Sequence, residues 1–216
     1  MSFALAGLFV LADDDPRWSH DPVAQARAAC AGGAAVVQLR TKHATDRVAL
    51  AWAREIRELT REAGVGFFVN DRFDLALLAE ADGVHLGQED LAPEQLPAEA
   101  RARLQVGRST HDEAQLIRAM TEPVDYVAFG PVFGTRSKES PYTPRGLEAL
   151  SKAAARVAPK PLVAIGGIGE AEAGAVEAAG AAGFAVISAV AGAADPLEAT
   201  RRLVEAFGVT RLEESR

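Results

Sequence analysis

Short apolar runs alternate along the chain with longer segments of helical period. The runs predict strands at Leu5–Leu11, Val36–Leu39, Gly66–Asn70, Gly83–Leu86, Gln105–Ser109, Tyr126–Phe129, Leu162–Ile165 and Phe184–Ile187. The segments between and after them predict helices at Pro22–Ala31, Asp46–Ala63, Asp74–Glu80, Pro93–Leu104, Asp112–Met120, Leu147–Val157, Glu170–Ala179 and Pro196–Phe207. Asp21-Pro22 and Asp195-Pro196 each supply a capping carboxylate followed by a proline in the first turn. Gly64, Gly180 and Gly208 stand where helices would end. Runs such as Ala35-Val36-Val37 and Leu162-Val163-Ala164-Ile165 are apolar without alternation, as strands covered on both faces are. Eight strand–helix units on this length fit a (β/α)8 barrel, with an open doubly wound sheet as the other arrangement of the same elements. No linker or break in composition divides the 216 residues, so one domain spans 1–216, with a charged, frayed tail after 208. The longest loop is Gly130–Arg145, and a loop of that length in a compact domain is usually functional.

Polar side chains gather on one side of this pattern. After the second strand come Gln38, Arg40 and Lys42; after the third, Asn70, Asp71 and Arg72; after the fourth, Gln88 and Asp90. Ser109 and His111 follow the fifth, Thr135 to Lys138 the sixth, Gly166-Gly167 the seventh and Ser188 the eighth. Ahead of the strands stand mostly Ala, Gly and Pro, with Asp82 and Asp125 as the charged exceptions. A barrel brings the C-terminal strand ends to one rim, where active sites are built.

Composition narrows the function classes. Twenty-three Lys and Arg against thirty Asp and Glu give a net charge of −7, which disfavours a general nucleic-acid or anionic-membrane binder. The single cysteine, Cys30, rules out an internal disulfide and a cysteine-rich zinc site, and on its Ala-rich helix it reads as core. The apolar start is too short to span a bilayer, and Asp13, Asp14 and Asp15 follow it, unlike a signal peptide. A soluble, cytoplasmic domain is expected.

On the rim, Arg40, Lys42 and Lys138 suit phosphate oxygens, Arg by its planar fork and Lys as a point charge. Asp71 and Asp90 offer hard oxygens to magnesium, which takes one or two carboxylates together with phosphate and water. Together they describe a magnesium-diphosphate site. Taken singly each has a plainer reading: a solvated cation, or for Asp71 a salt bridge to Arg72 or another neighbour. Gly166-Gly167 and the strand end at Ile187-Ser188 suggest a second anion site, where barrels often bind phosphate. His111 reads equally as an acid–base group or a packed loop histidine, and His85, inside a strand, as packed. Asp13–Asp15 could reach the rim, but its plainer reading is a solvated turn. Neither a Ser-His-Asp order, a Walker loop nor HExxH is present.

Several blocks resemble one family. Gln38-Leu39-Arg40-Thr41-Lys42, Asn70-Asp71-Arg72, the run Ala81 to Asp90 with its His-Leu-Gly-Gln-x-Asp core, Gly130-Pro131-Val132-Phe133 with Thr135 to Lys138, and Ala164 to Ile168 are similar to the thiamine-phosphate synthases, in order and over nearly the whole chain. The resemblance implies a (β/α)8 barrel that joins hydroxymethylpyrimidine diphosphate to a thiazole phosphate, releasing diphosphate. It implies that Gln38, Leu39, Arg40, Thr41, Lys42, Asn70, Ser109 and Lys138 hold the pyrimidine diphosphate, with Arg40, Lys42 and Lys138 as the catalytic cations. It implies that Asp71 and Asp90 bind one magnesium ion per site, and that Thr135, Arg136, Ser137, Gly167, Ile187 and Ser188 hold the thiazole phosphate. The expected partners are small phosphorylated substrates, with no nucleic acid and no membrane, and a homo-oligomer is left open. Two positions depart from the family pattern: Thr41 stands for the usual Glu and Ser137 for the usual Thr. Arg145-Gly146 also resembles the sister family, the thiazole tautomerases. An isomerase with His111 as proton carrier, or a non-catalytic phosphate-binding barrel, are the alternatives.

Overall fold

In the computed structural model, which describes residues 5–134 and 142–213, the eight apolar runs form eight parallel strands closed into a barrel in sequence order. They are β1 (Gly7–Asp13), β2 (Val36–Arg40), β3 (Gly66–Asn70), β4 (Gly83–Leu86), β5 (Gln105–Thr110), β6 (Tyr126–Phe129), β7 (Leu162–Ile165) and β8 (Gly183–Val186). Phe9 of β1 lies opposite both Val36 of β2 and Ala185 of β8, and this last pairing excludes the open sheet. The helices are α1 (Pro22–Gly32), α2 (Asp46–Ala63), α3 (Phe73–Leu78), α4 (Ala98–Arg103), α5 (Glu113–Thr121), α6 (Gly146–Val157), α7 (Glu170–Ala178), a short α8 (Ser188–Ala191) and α9 (Pro196–Glu213). No helix among the described residues is long and apolar enough to cross a membrane.

The capping signals act as their chemistry requires. Asp21 accepts from the Ala24 amide at 2.8 Å, Asp112 from Gln115 at 2.8 Å and Asp195 from Glu198 at 3.0 Å. Gly64 ends α2 in the left-handed region at φ 68°. The expected helix Pro93–Leu104 is broken instead: Pro97 forces Leu96 into an extended conformation (ψ 139°), leaving a 3₁₀ turn at Pro93–Gln95 before α4. α8 has four residues, too few for a helical period to show in the sequence. α9 passes through Gly208 to Glu213 rather than stopping at Phe207. β1 runs two residues beyond Leu11, because Ala12 and Asp13 pair with Leu39 and Arg40.

Residues along each strand alternate between two apolar environments, which is why the strands show no polar face. Leu8, Val10, Val37, Leu39 and Val84 pack outward under the helices. Phe9, Leu11, Val36, Phe68, Tyr126 and Val163 fill the barrel. Glycines make room for the interior rings: a Cβ on Gly83 would overlap Phe68, and one on Gly107 would overlap Tyr126. At the N-terminal end, Asp82 accepts from the Phe67 amide at 2.9 Å and from Arg57 at 2.8 Å, and Asp125 accepts from Val106 at 2.7 Å. The two charged exceptions on that side thus stitch neighbouring strands together, leaving the opposite rim for chemistry.

Candidate active site

The rim holds three neighbouring spaces that share lining residues. The first, a chamber of about 310 Å³, is lined on one side by Arg40, Lys42, Asn70 and Asp71 and on the other by Gly87 to Asp90, Ser109, His111 and Tyr142. Lys42 Nζ donates to Asp71 Oδ2 at 2.5 Å. Arg72, the nearer cation in sequence, turns away and pairs with Asp46 (2.8 Å) and Asp74 (2.6 Å). Asp71 sits at φ 65°, a left-handed conformation uncommon for a residue with a Cβ but tolerated by Asp. Its amide donates to the carbonyl of His85 at 2.8 Å, so the turn is fixed to β4. Asp90 accepts from the Gly87 amide at 2.6 Å. Burial and the neighbouring Asp71 carboxylate together push the Asp90 carboxyl above its usual range, against the pull of the Gly87 amide and Lys42.

Asp13, Asp14 and Asp15, expected as a solvated turn, divide between three environments. Asp13 is fully buried and paired with Arg40. Asp14 receives the amides of Lys42, His43 and Ala44 at 2.7–2.9 Å. Asp15 is held by Arg17 at 2.6 Å, which draws its carboxyl down to about 2. The sequence marks Asp13 only by register, since it stands two residues beyond Leu11 on the inward face.

The second space is a cavity of about 30 Å³ in the barrel mouth, lined by Gln38, Asn70, His85, Ser109 and Tyr126 among others. Tyr126 is entirely buried, which drives its phenol far above the usual range, with a hydrogen bond from Gln38 opposing the shift. The phenol is 2.8 Å from His85 Nδ1, and His85 Nε2 is 2.8 Å from Ser109 Oγ. His85 is therefore packed, as expected, but it also joins the barrel core to a rim hydroxyl. Gln38 is 3% exposed and its Oε1 has no partner among the described residues.

The third space, a cleft of about 300 Å³, is lined by Gly130-Pro131, Ile165 to Gly169 and Ala185 to Ala189. It contains the expected Gly167, Ile187 and Ser188. Gly166 and Gly167 have φ of 102° and 66°, positive values that glycine adopts without strain. Pro131 packs against the first, and Phe133 and Gly134 pack against the second. The Val132 and Phe133 amides donate to Ile165 and Gly166 at 2.9 Å, tying the start of the β6 loop to the glycine pair. A Cβ on Gly167 would lie 2.9 Å from Phe133 Cβ and would overlap the Gly134 carbonyl, so Gly167→Val displaces that loop.

His111 lines both this cleft and the first chamber. Its Nδ1 lies 2.6 Å from the Gly130 carbonyl, its amide donates to Gln115 at 2.8 Å, and its ring stacks on Tyr142 at 3.9 Å. Those contacts make it a wall between the chambers. Two site expectations need restating. Leu39 points outward into the core beneath the helices, fully buried, so strand alternation removes its side chain from the site. Thr41 is half-buried at the strand end and lines none of the three spaces. Thr135, Arg136, Ser137 and Lys138 lie outside the described residues.

Comparison with known proteins agrees with this arrangement. A family model described as thiamine monophosphate synthase matches residues 8–190. The chain belongs to the thiamine-phosphate synthase family. It is 47% identical over 207 residues to a thiamine-phosphate synthase of Anaeromyxobacter dehalogenans, covering 96% of this chain and 90% of that one. It is 42% identical to another from Chloroflexus aurantiacus, covering 94% of each. A solved thiamine phosphate pyrophosphorylase from Pyrococcus furiosus superposes with a TM-score of 0.84 at 37% identity, covering 94% of this chain and 96% of that one. The family match ends one residue short of the end of α8, so it spans every strand end that contributes to the three spaces.

Proposed function

We propose that the protein is a transferase that makes thiamine phosphate from hydroxymethylpyrimidine diphosphate and a thiazole phosphate. One observation carries the reading beyond family membership: two rim chambers of about 310 and 300 Å³ share His111 as a wall, one lined by cations and carboxylates, the other by glycines. A two-substrate reaction between a diphosphate and a phosphate needs such a pair. An isomerase acting on one thiazole phosphate has no use for the Lys42–Asp71–Asp90 chamber.

Gln38 offers its free, buried Oε1 to the amino group of the pyrimidine. Ser109, held by His85, and Asn70 flank that ring, with Arg40 and Lys42 on the diphosphate. Asp71 and Asp90 fit a magnesium ion: the two carboxylates crowd each other so that one resists ionisation, and a divalent cation would relieve that. Magnesium takes most of its ligands from water and phosphate, so two carboxylates would be enough protein ligands for it. When bound, the ion would neutralise diphosphate charge. The bond between the pyrimidine's exocyclic carbon and the diphosphate oxygen breaks, its electron pair leaving with diphosphate. The amino-pyrimidine ring delocalises the resulting cation, and the thiazole nitrogen forms the new C–N bond. No proton has to move, so the cations of this chain act by preorganised electrostatics.

Incubation with both substrates and magnesium tests the reading by thiamine phosphate formation; conversion of a thiazole phosphate without pyrimidine or metal would favour the isomerase. Two variants probe the chambers. His111→Ala is expected to lower turnover by less than the ~10²–10⁴-fold typical of a lost acid–base group. A larger loss would point to proton transfer. Gly167→Val is expected to raise the thiazole phosphate KM by about tenfold or more, since displacing a packed backbone amounts to roughly 1–3 kcal/mol. An unchanged KM would remove the glycine cleft from the site.

A further inference from the structure

We infer that Asp13 and Asp14, at the end of β1, are positioning residues that set Arg40 and Lys42 for the diphosphate; this rests on the assignment of those two cations above. Asp13 has no exposed surface. One of its carboxylate oxygens pairs with Arg40 Nη1, and the other accepts from Trp18 Nε1 at 2.8 Å and from the Asp15 amide at 3.1 Å. Its backbone is clamped on both sides by the buried Gln25, whose Oε1 accepts from the Asp13 amide and whose Nε2 donates to the Asp13 carbonyl, each at 2.9 Å. A carboxylate so enclosed cannot follow a moving partner. It fixes one edge of a guanidinium that carries five donors and leaves the others for phosphate oxygens.

Asp14 does the same for the backbone. Its amide donates to the Arg40 carbonyl at 3.2 Å. Its two oxygens take the amides of Lys42, His43 and Ala44, wrapping the segment that presents Lys42 around a single side chain. Neither carboxylate lines the diphosphate chamber, so both act through the cations.

The test is a pair of double-mutant cycles read by calorimetric binding of inorganic diphosphate with magnesium, and by KM for each substrate. Asp13→Asn keeps an acceptor for Trp18 but drops the charge facing Arg40. It is expected to weaken diphosphate binding and raise the pyrimidine diphosphate KM by about 10–100-fold, the scale of a misplaced binding group, with the thiazole phosphate KM unchanged. In an Arg40→Gln background the same change is expected to add nothing, whereas a merely structural role would add its full effect. Asp14→Ala against Lys42→Ala is the second cycle, and it decides the matter if Asp13→Asn does not fold, because Asp14 is partly exposed. Additive effects, or equal loss for both substrates, overturn the inference. If Arg40→Gln and Lys42→Ala bind diphosphate as well as the parent does, the assignment of those cations has failed instead, and the inference falls with it.

Discussion

Asp90→Asn is expected to lower kcat for thiamine phosphate formation by about 10²–10³-fold, the scale seen when one preorganised electrostatic contact is removed. Asn keeps the shape and the hydrogen bond from the Gly87 amide, but it removes one of the two carboxylates, Asp71 and Asp90, that crowd each other. Charge develops on the departing diphosphate mainly in the transition state, so the loss belongs in kcat and not only in KM. Lys138→Ala is expected to cost a similar factor, for the sequence places that cation on the loop after β6. The two differ in rescue: excess magnesium partly restores Asp90→Asn and leaves Lys138→Ala unchanged. Calorimetry supplies a readout apart from turnover, since Asp90→Asn should weaken magnesium binding in the presence of inorganic diphosphate. Near-normal turnover of the unaltered protein in EDTA would defeat the assignment and leave the carboxylates as structural partners of Lys42.

The barrel was legible because its strands are covered on both faces. Val36 packs inside and Val37 outside, so the run Ala35-Val36-Val37 is apolar on both faces, and only Gln38 beyond it turns a polar group into the barrel mouth. What the pattern missed is where a single residue decides. Pro97 ended a helix that composition alone would have continued, and four residues after β8 were too few to declare themselves. The closure itself follows from the β1–β8 register, which no local pattern carries.

The site was legible as charge at strand ends, but not as partnership. Arg72 looked like the natural companion of Asp71; geometry gave that place to Lys42 across 29 positions and sent Arg72 to Asp46 and Asp74. The aspartates at 13 and 14 looked solvated because three acidic residues in a row usually are. Only the extra two-residue reach of β1, set by pairing with Leu39 and Arg40, carries Asp13 into the interior. Tyr126 gave no functional signal, since a tyrosine opening a strand reads as packing. Its link through His85 to Ser109 depends on long-range register between β4, β5 and β6.

That register makes Gly107 the position where fold and site fail together. A methyl on Gly107 would overlap the Tyr126 ring. That ring is fully buried and packed against Phe9 and Phe68, with centroids 5.7 and 5.9 Å away. Gly107→Ala is therefore expected to destabilise the protein by about 1–3 kcal/mol, as overpacked cores are. At roughly 2–4 °C per kcal/mol for a chain of this size, calorimetry would show the Tm falling by several degrees. Displacing the phenol would also loosen its 2.8 Å contact with His85, so the pyrimidine diphosphate KM should rise while the thiazole phosphate KM holds. Tyr126→Phe separates the two effects: it keeps the ring and strips the hydroxyl, leaving buried polar partners unsatisfied at about 1–3 kcal/mol without any overlap. In Gly107→Ala/Tyr126→Leu the smaller side chain makes room for the methyl, so the double variant should be more stable than Tyr126→Leu and Gly107→Ala acting additively. If Gly107→Ala melts with the parent, or the double variant shows simple additivity, the barrel interior is not packed around this ring.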